Sequence, residues 1–296
     1  MKKRKYFNKT PYLYLVPTLI VIIPIMIIPI IITFLISFTD SRLMTIGTSA
    51  NFVGLQNYLT FFRSGHYIQT LGSTFIYVIA GVSLTFIYGL GAALLLNTKF
   101  KGRPFFRTIL ILPWVVPQVV LAIIWKFMVN PQNGVINYFL YSLGIIPQNF
   151  SWFGTGVNAM VILTIVTLWK QYPLSLLILF AGLKTISEDL YEAASIDGAN
   201  YFQKFINITL PGLRKVTNVL LLLLTIWSFG NFTIIWLISK GGPNNQTAVL
   251  TVWSYLNAFK FDKLGYGAAI GIIILIISLI FAILYFKIFL NNEEED

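Results

Sequence analysis

The sequence predicts an all-α membrane protein with six transmembrane helices. Three observations carry that prediction. Of the 296 residues, 57% are hydrophobic and only 10% are charged. The apolar residues gather into six runs, each long enough to cross a bilayer, which takes about 20 residues. None of those runs contains an acidic residue. An ordinary soluble domain carries about 25% charge, and a chain this apolar would expose large greasy patches if it folded in water. The composition also excludes several function classes. There is no cysteine and only one histidine, His66, so no disulfide framework, thiolate metal site or imidazole cluster is expected. The net charge of +11 does not point to nucleic acid, because the basic residues lie between apolar runs and form no stripe on a polar face.

The predicted spans are 13–38, 70–96, 105–128, 158–182, 216–239 and 266–289. The first follows Lys2, Lys3, Arg4 and Lys5, like the basic region of a signal peptide. It then runs uncharged over 10–39, far beyond an apolar signal core of about 7–15 residues, so it is read as a retained helix. Pro17, Pro24 and Pro29 interrupt it, and Pro113 and Pro117 interrupt the third span. Such prolines bend helices where neighbours or a cavity satisfy the freed carbonyls, though proline is also simply commoner in membrane helices. The connections 40–69, 129–157 and 240–265 carry turn signals such as Asn130-Pro131 and Gly241-Gly242-Pro243. None is long enough for a separate domain, so residues 1–296 read as one transmembrane domain. The acidic stretch 293–296 reads as a solvated end.

Orientation follows from the basic residues. With both termini in the cytoplasm, 14 of the 21 Lys and Arg lie on that side and six outside, with Lys170 inside a span. That agrees with the positive-inside rule.

The most informative stretch is the cytoplasmic loop 183–215. Ser187 can cap a short helix whose first turn holds Glu188 and Asp189, where negative charge suits the helix dipole. Glu192, Ala193 and Ala194 continue it, Gly198 permits a turn, and a second helix carrying Tyr201, Phe202, Phe205, Ile206 and Ile208 ends or bends at Pro211. Two short helices meeting at small residues make a rigid knob. An amphipathic connector on the bilayer surface would have similar composition.

Glu192-Ala193-Ala194, three residues, Gly198, nine residues, Ile208, one residue, Leu210-Pro211 resembles the EAA motif of the permease subunits of binding-protein-dependent ABC importers. Four weaker matches fall in the same order as in the maltose and glycerol-phosphate permease group. They are residues 52–58, Phe105-Phe106-Arg107 with Pro113, Trp169-Lys170, and Gly241-Gly242-Pro243. The chain differs from the larger maltose permeases in having six spans, without extra N-terminal helices or a large periplasmic insert.

The resemblance implies a type I importer permease in the cell membrane, carrying a sugar or oligosaccharide. Glycerol phosphate, a peptide or an amino acid are the alternatives within ABC importers. It also implies that loop 183–215 is a coupling helix, with Glu192 in polar contact with an ATPase and Ala193, Ala194 and Gly198 allowing close packing. Implied partners are a second, non-identical permease, two ATP-binding subunits that hold ATP and Mg, and an extracytoplasmic substrate-binding protein. The sequence has no phosphate-cradling loop of the Walker type, so no cofactor and no ATP hydrolysis are expected in this chain. A secondary transporter would need a coupling-ion site, usually an intramembrane acid, and the spans hold none. A membrane enzyme would need a nucleophile–base set, and only isolated hydroxyls are present, so no catalytic residue is expected.

For the substrate pathway, the fourth span offers Trp169, Lys170, Gln171 and Tyr172, and the fifth offers Ser228 and Asn231. Lys170 faces a cavity or pairs with a carbonyl at a kink. Ser228 and Asn231 hold substrate, as the resemblance implies, or join helices to one another.

Overall fold

An apolar run in a bilayer must satisfy its own backbone groups, and helices do so within one segment. The computed structural model describes residues 10–45 and 50–290, so the basic stretch 2–5 and the acidic end 293–296 lie outside the described residues. All regular elements among the described residues are helical, with one isolated bridge between Thr39 and Phe52. The first run folds as α1 (Thr10–Ile22) and α2 (Ile28–Ile36), joined by a π-helical turn at Ile23–Ile27. Pro24 and Pro29 remove backbone donors there, and the ladder widens to pass them. Together they form one apolar helix, Tyr14–Ile36, with none of its length buried within the chain.

The elements that follow are α3 (Gln56–Arg63), α4 (Tyr67–Asn97), α5 (Arg103–Val115), α6 (Gln118–Met128), α7 (Val135–Ser142) and α8 (Gly156–Leu183). After them come α9 (Glu188–Ile196), α10 (Tyr201–Lys204), α11 (Leu210–Gly212), α12 (Arg214–Phe229), α13 (Thr233–Ile238), α14 (Leu250–Tyr255) and α15 (Leu264–Leu290).

Two predicted spans differ from single helices. In the third, the axis turns by 100° between α5 and α6. Pro117 cannot donate, and Val116 before it is extended at φ −65°, ψ 126°, the conformation a following proline imposes. The fifth, read as 216–239, stops at Phe229 and resumes as α13 after a non-helical stretch at 230–232. Below it, the stretch Tyr201–Gly212 meets α12 at 67°. Among the described residues, four helices are individually long and apolar enough to span a membrane, and up to six crossings result if each bent pair counts as one.

The chain divides into two compact units, 1–64 with 254–273 and 65–253 with 274–296. In the first, Asp40 accepts hydrogen bonds from the Asn51 side chain at 3.0 Å and backbone N–H at 2.7 Å. These bonds hold its carboxyl below the usual value. The Asn57 amide donates to the Ser37 and Thr39 carbonyls at 2.9 and 2.8 Å, tying α3 to the end of the first span. Gly265 passes so close that a Cβ would stand 2.0 Å from the Thr39 oxygen.

In the second unit, α4 and α8 pack along their lengths. Tyr77, Val78, Val82 and Ala93 of α4 and Ala159, Leu163, Val166, Leu176 and Leu179 of α8 are buried. Gly89 permits a close approach: a Cβ there would lie 2.3 Å from the Ser175 Cβ. Small residues let backbones meet in membranes, where burial of apolar surface gives helices little preference for each other over lipid.

Candidate functional site

The break in the third span leaves carbonyls at the end of α5 without helical donors. Lys170, near the middle of α8, supplies them. Its ammonium donates to the Trp114 oxygen at 2.6 Å and the Val116 oxygen at 2.7 Å. A cation at a helix C-terminus also suits the helix dipole. Of the two sequence-level alternatives for Lys170, pairing at a kink is realised, and the same residue borders a cavity.

That cavity has a volume of about 520 Å³. The rings of Trp114, Trp227 and Phe232 supply apolar wall, and Gln118, Lys170, Gln171 and Asn231 supply polar atoms. It exists because two spans are broken beside each other: α5–α6 turns away at Pro117, and the chain leaves helical geometry at 230–232. The structure thus brings Lys170, Gln171 and Asn231 together. Trp169, Tyr172 and Ser228 fall outside the lining. Trp169 meets Trp125 edge to face at 6.2 Å. Ser228 is buried, and its Oγ has no hydrogen-bond partner among the described residues.

Asn231 is anchored. Its amide donates to the Tyr77 hydroxyl at 2.8 Å, and Tyr77 shares a 2.7 Å hydrogen bond with Thr167. The Asn231 backbone carbonyl accepts from the Thr251 hydroxyl at 2.8 Å. The helix-joining alternative is therefore realised for this side chain, which stitches the break to α4 and α8. Gln171 is the reverse case, because its Oε1 is buried without a partner. Leaving such an acceptor unmade costs about 1–3 kcal/mol, and the residue that carries it borders the cavity. Sequence reasoning missed Trp114, Gln118, Trp227, Phe232 and Tyr77. Only Gln118 carried a signal, as the first residue after the Pro117 break.

The loop 183–215 folds as two capped helices. Ser187 accepts from the Asp189 N–H at 3.3 Å, with Glu188 and Asp189 in the first turn of α9. At the other end, Gly198 has φ +79°, with the Gly198 N–H on the Ser195 oxygen at 3.2 Å and the Ala199 N–H on the Ala194 oxygen at 2.8 Å. These two bonds make a Schellman cap, whose left-handed position favours glycine. No atom of the described residues lies within 4 Å of a Cβ built at Gly198, so among them the requirement is conformational. Asn200 and Gln203 form a capping box at the start of α10. The Tyr191 hydroxyl reaches the Thr209 hydroxyl at 3.0 Å, bracing α9 against the π-helical turn Phe205–Thr209.

Pro211 sits inside α11, just after that turn; the helix ends at Gly212, one residue later, and the path bends by 67° into α12. Glu192, Ala193, Gly198, Leu210 and Pro211 are exposed, while Ala194 and Ile208 are half-buried. Ile196 (87% exposed), Tyr201 (76%) and Phe202 (66%) add an apolar surface to the knob.

Residues 85–288 match the family described as binding-protein-dependent transport system inner membrane component. The trehalose/maltose transport system permease protein MalF of Thermococcus litoralis is 38% identical, covering 97% of this chain and 96% of its own. A probable ABC transporter permease of Brucella suis is 32% identical over 97% and 99%. Among solved structures, a bacterial ABC transporter involved in the import of the acidic polysaccharide alginate superposes with a TM-score of 0.81, at 23% identity and 94% coverage of each chain. That likeness establishes the shared fold, and with the family match over most of the chain, the protein belongs to the binding-protein-dependent transport system inner membrane component family.

Proposed function

We propose that the chain is a transmembrane permease subunit of an ATP-driven importer that translocates a sugar or oligosaccharide delivered by an extracytoplasmic binding protein. The observation that carries this reading is the capped knob at 187–212, which presents the complete EAA pattern with Glu192 exposed beside an apolar surface. Fixed at both ends of α9, such a knob transmits displacement where a flexible loop would absorb it.

In this reading the chain pairs with a second, non-identical permease, and each knob enters a cleft on an ATP-binding subunit. Those subunits hold ATP and Mg and perform the hydrolysis. Both termini lie in the cytoplasm. The knob continues through Leu213 into α12, and α12 ends at the cavity wall, so motion at the ATPase reaches Trp227 and Asn231 along one continuous stretch of chain.

The saccharide assignment draws on the cavity and on the trehalose/maltose relative. A volume of about 520 Å³ falls in the range of small-molecule sites, which pair aromatic walls with a few placed polar groups. Three rings and two glutamines suit a solute with apolar faces and many hydroxyls.

Co-purification from the native membrane in mild detergent tests the coupling reading. An ATPase and a second permease are expected with the wild type, and Glu192→Lys is expected to release the ATPase while leaving the chain's own yield unchanged. Retention of the ATPase by that variant counts against the knob. A second pair of variants separates solute contact from scaffold. Gln171→Leu is expected to reduce sugar uptake at least tenfold with little change in thermal stability, since the Oε1 has no partner to lose. Asn231→Leu is expected to lower both, because Tyr77 loses its donor. Equal stability losses in the two variants would remove Gln171 from the pathway.

A further inference from the structure

A second cavity, of about 770 Å³, lies between α4 and α8. Ser73, Ile76, Ala80 and Leu84 line it from α4, and Val157, Val161 and Ile165 from α8. Each set recurs at the three- and four-residue spacing that keeps side chains on one helix face, so the cavity is a furrow running along the pair. Ile76, Val157 and Val161 on its flanks are exposed.

The polar groups gather at one end, the end of α8 opposite the knob. There the Ser73 hydroxyl donates to the Gln246 backbone carbonyl, and the Gly156 N–H to the Gln246 Oε1, both at 2.8 Å. Thr155 completes this mouth, which lies at the edge of the predicted spans 70–96 and 158–182. Deeper in, the one polar side chain is Thr164, whose hydroxyl donates to the Met160 carbonyl of its own helix at 2.8 Å. Among the described residues, no charged side chain lines the furrow. A saccharide would find its hydroxyls unpaired there, so the furrow suits an apolar occupant with a polar end.

Its length decides between a lipid and a helix. The 11 residue steps from Ser73 to Leu84 rise about 16.5 Å, at about 1.5 Å each. One leaflet of hydrocarbon is about 15 Å deep, half of a core of about 30 Å. Past Leu84 the furrow stops, and at Gly89 the backbones of α4 and α8 come close together. A spanning helix of another subunit would need a groove through both leaflets, whereas an acyl chain needs one.

We infer that the α4–α8 furrow is a binding site for a membrane phospholipid, which lays one acyl chain between Ile76, Ala80 and Leu84 on one side and Val157, Val161 and Ile165 on the other, with its ester region at Thr155 and Gln246. Wall contact along both sides of the chain multiplies the dispersion contacts that lipid on a convex helix face makes on one side only. The inference is independent of the transported solute and of the ATPase.

Photolabelling of the co-purified assembly tests it, with phosphatidylcholine that carries a diazirine at the end of one acyl chain and peptide mass spectrometry to map the adducts. Adducts at Ala80–Leu84 and Val161–Ile165 are expected to exceed roughly fivefold those at Ile276, Leu279 and Ile280, exposed residues near the middle of α15. Equal labelling of the two regions overturns the proposal with no variant needed. Ala80→Trp fills the furrow and should abolish that excess while the α15 adducts stay as they were. An excess that survives in a folded Ala80→Trp variant also overturns it. Phosphatidylglycerol with the same diazirine should label the furrow equally well, since no charge lines it, and a strong preference for either headgroup would contradict recognition through the acyl chain. A furrow labelled in the separately purified chain but protected in the assembly would assign it to a neighbouring subunit and not to lipid.

Discussion

Gly89→Ala is expected to lower the thermal stability of the purified chain markedly, and Gly89→Leu to leave little folded protein. The alanine methyl would stand 2.3 Å from the Ser175 Cβ and 3.1 Å from the Leu176 backbone nitrogen. No rotamer relieves a clash with backbone, so α8 must shift away from α4 along their shared interface. Overpacking of this kind costs about 1–3 kcal/mol for a single methyl, and leucine adds three further carbons in the same place. Ser175→Ala is the matching control: its Oγ is buried without a partner, so the change should be neutral or mildly stabilising. Ser175→Gly combined with Gly89→Ala should recover part of the loss, giving a non-additive cycle. Thermal unfolding in detergent, followed by tryptophan emission, measures all of these, and an unaltered Gly89→Ala transition would mean the two helices do not meet as described.

Lys170→Met is expected to lose both stability and transport. It removes a charged donor shared by the Trp114 and Val116 oxygens, at 2.6 and 2.7 Å. A hydrogen bond from a charged group contributes roughly 1.5–3 kcal/mol, and Pro117 has no N–H of its own to offer at the break. Lys170→Arg keeps the charge and the donors and should restore most of the stability. The pair distinguishes two roles. If Lys170 acted only on the solute, Lys170→Met would raise the apparent KM with the unfolding temperature unchanged. If it ties the broken span, stability and maximal uptake fall together, and Arg rescues both.

How legible this was in the sequence varies with the range of the interaction. The six apolar runs were plain because absence of charge is a property of each run alone. The knob was equally plain, since Ser187, Gly198 and Asn200 act on backbone groups within a few residues of themselves. Pro117 announced a break in the third span but not a 100° turn, because proline only removes a donor, and it is Lys170, from another helix, that holds the freed carbonyls. The end of α12 at Phe229 was masked: Gly230-Asn231 is a breaker, but the apolar residues of α13 continue the run and suggested one helix. The cavity itself was least legible. Trp114, Trp227 and Phe232 look like any aromatic residues in a membrane chain. Whether Asn231 faces solute or protein depends on Tyr77, 154 residues away, a pairing with no local signature.

Under the proposed function, this permease moves a saccharide at the expense of ATP through the knob at Glu192. The most direct test is uptake of a labelled sugar into vesicles that contain the chain with its co-purified subunits, with ATP inside and the binding protein outside. Predicted is uptake that requires ATP and the binding protein together and that falls to background in Glu192→Lys vesicles. Uptake by the chain alone without ATP, or undiminished ATP-driven uptake in the Glu192→Lys vesicles, would contradict it.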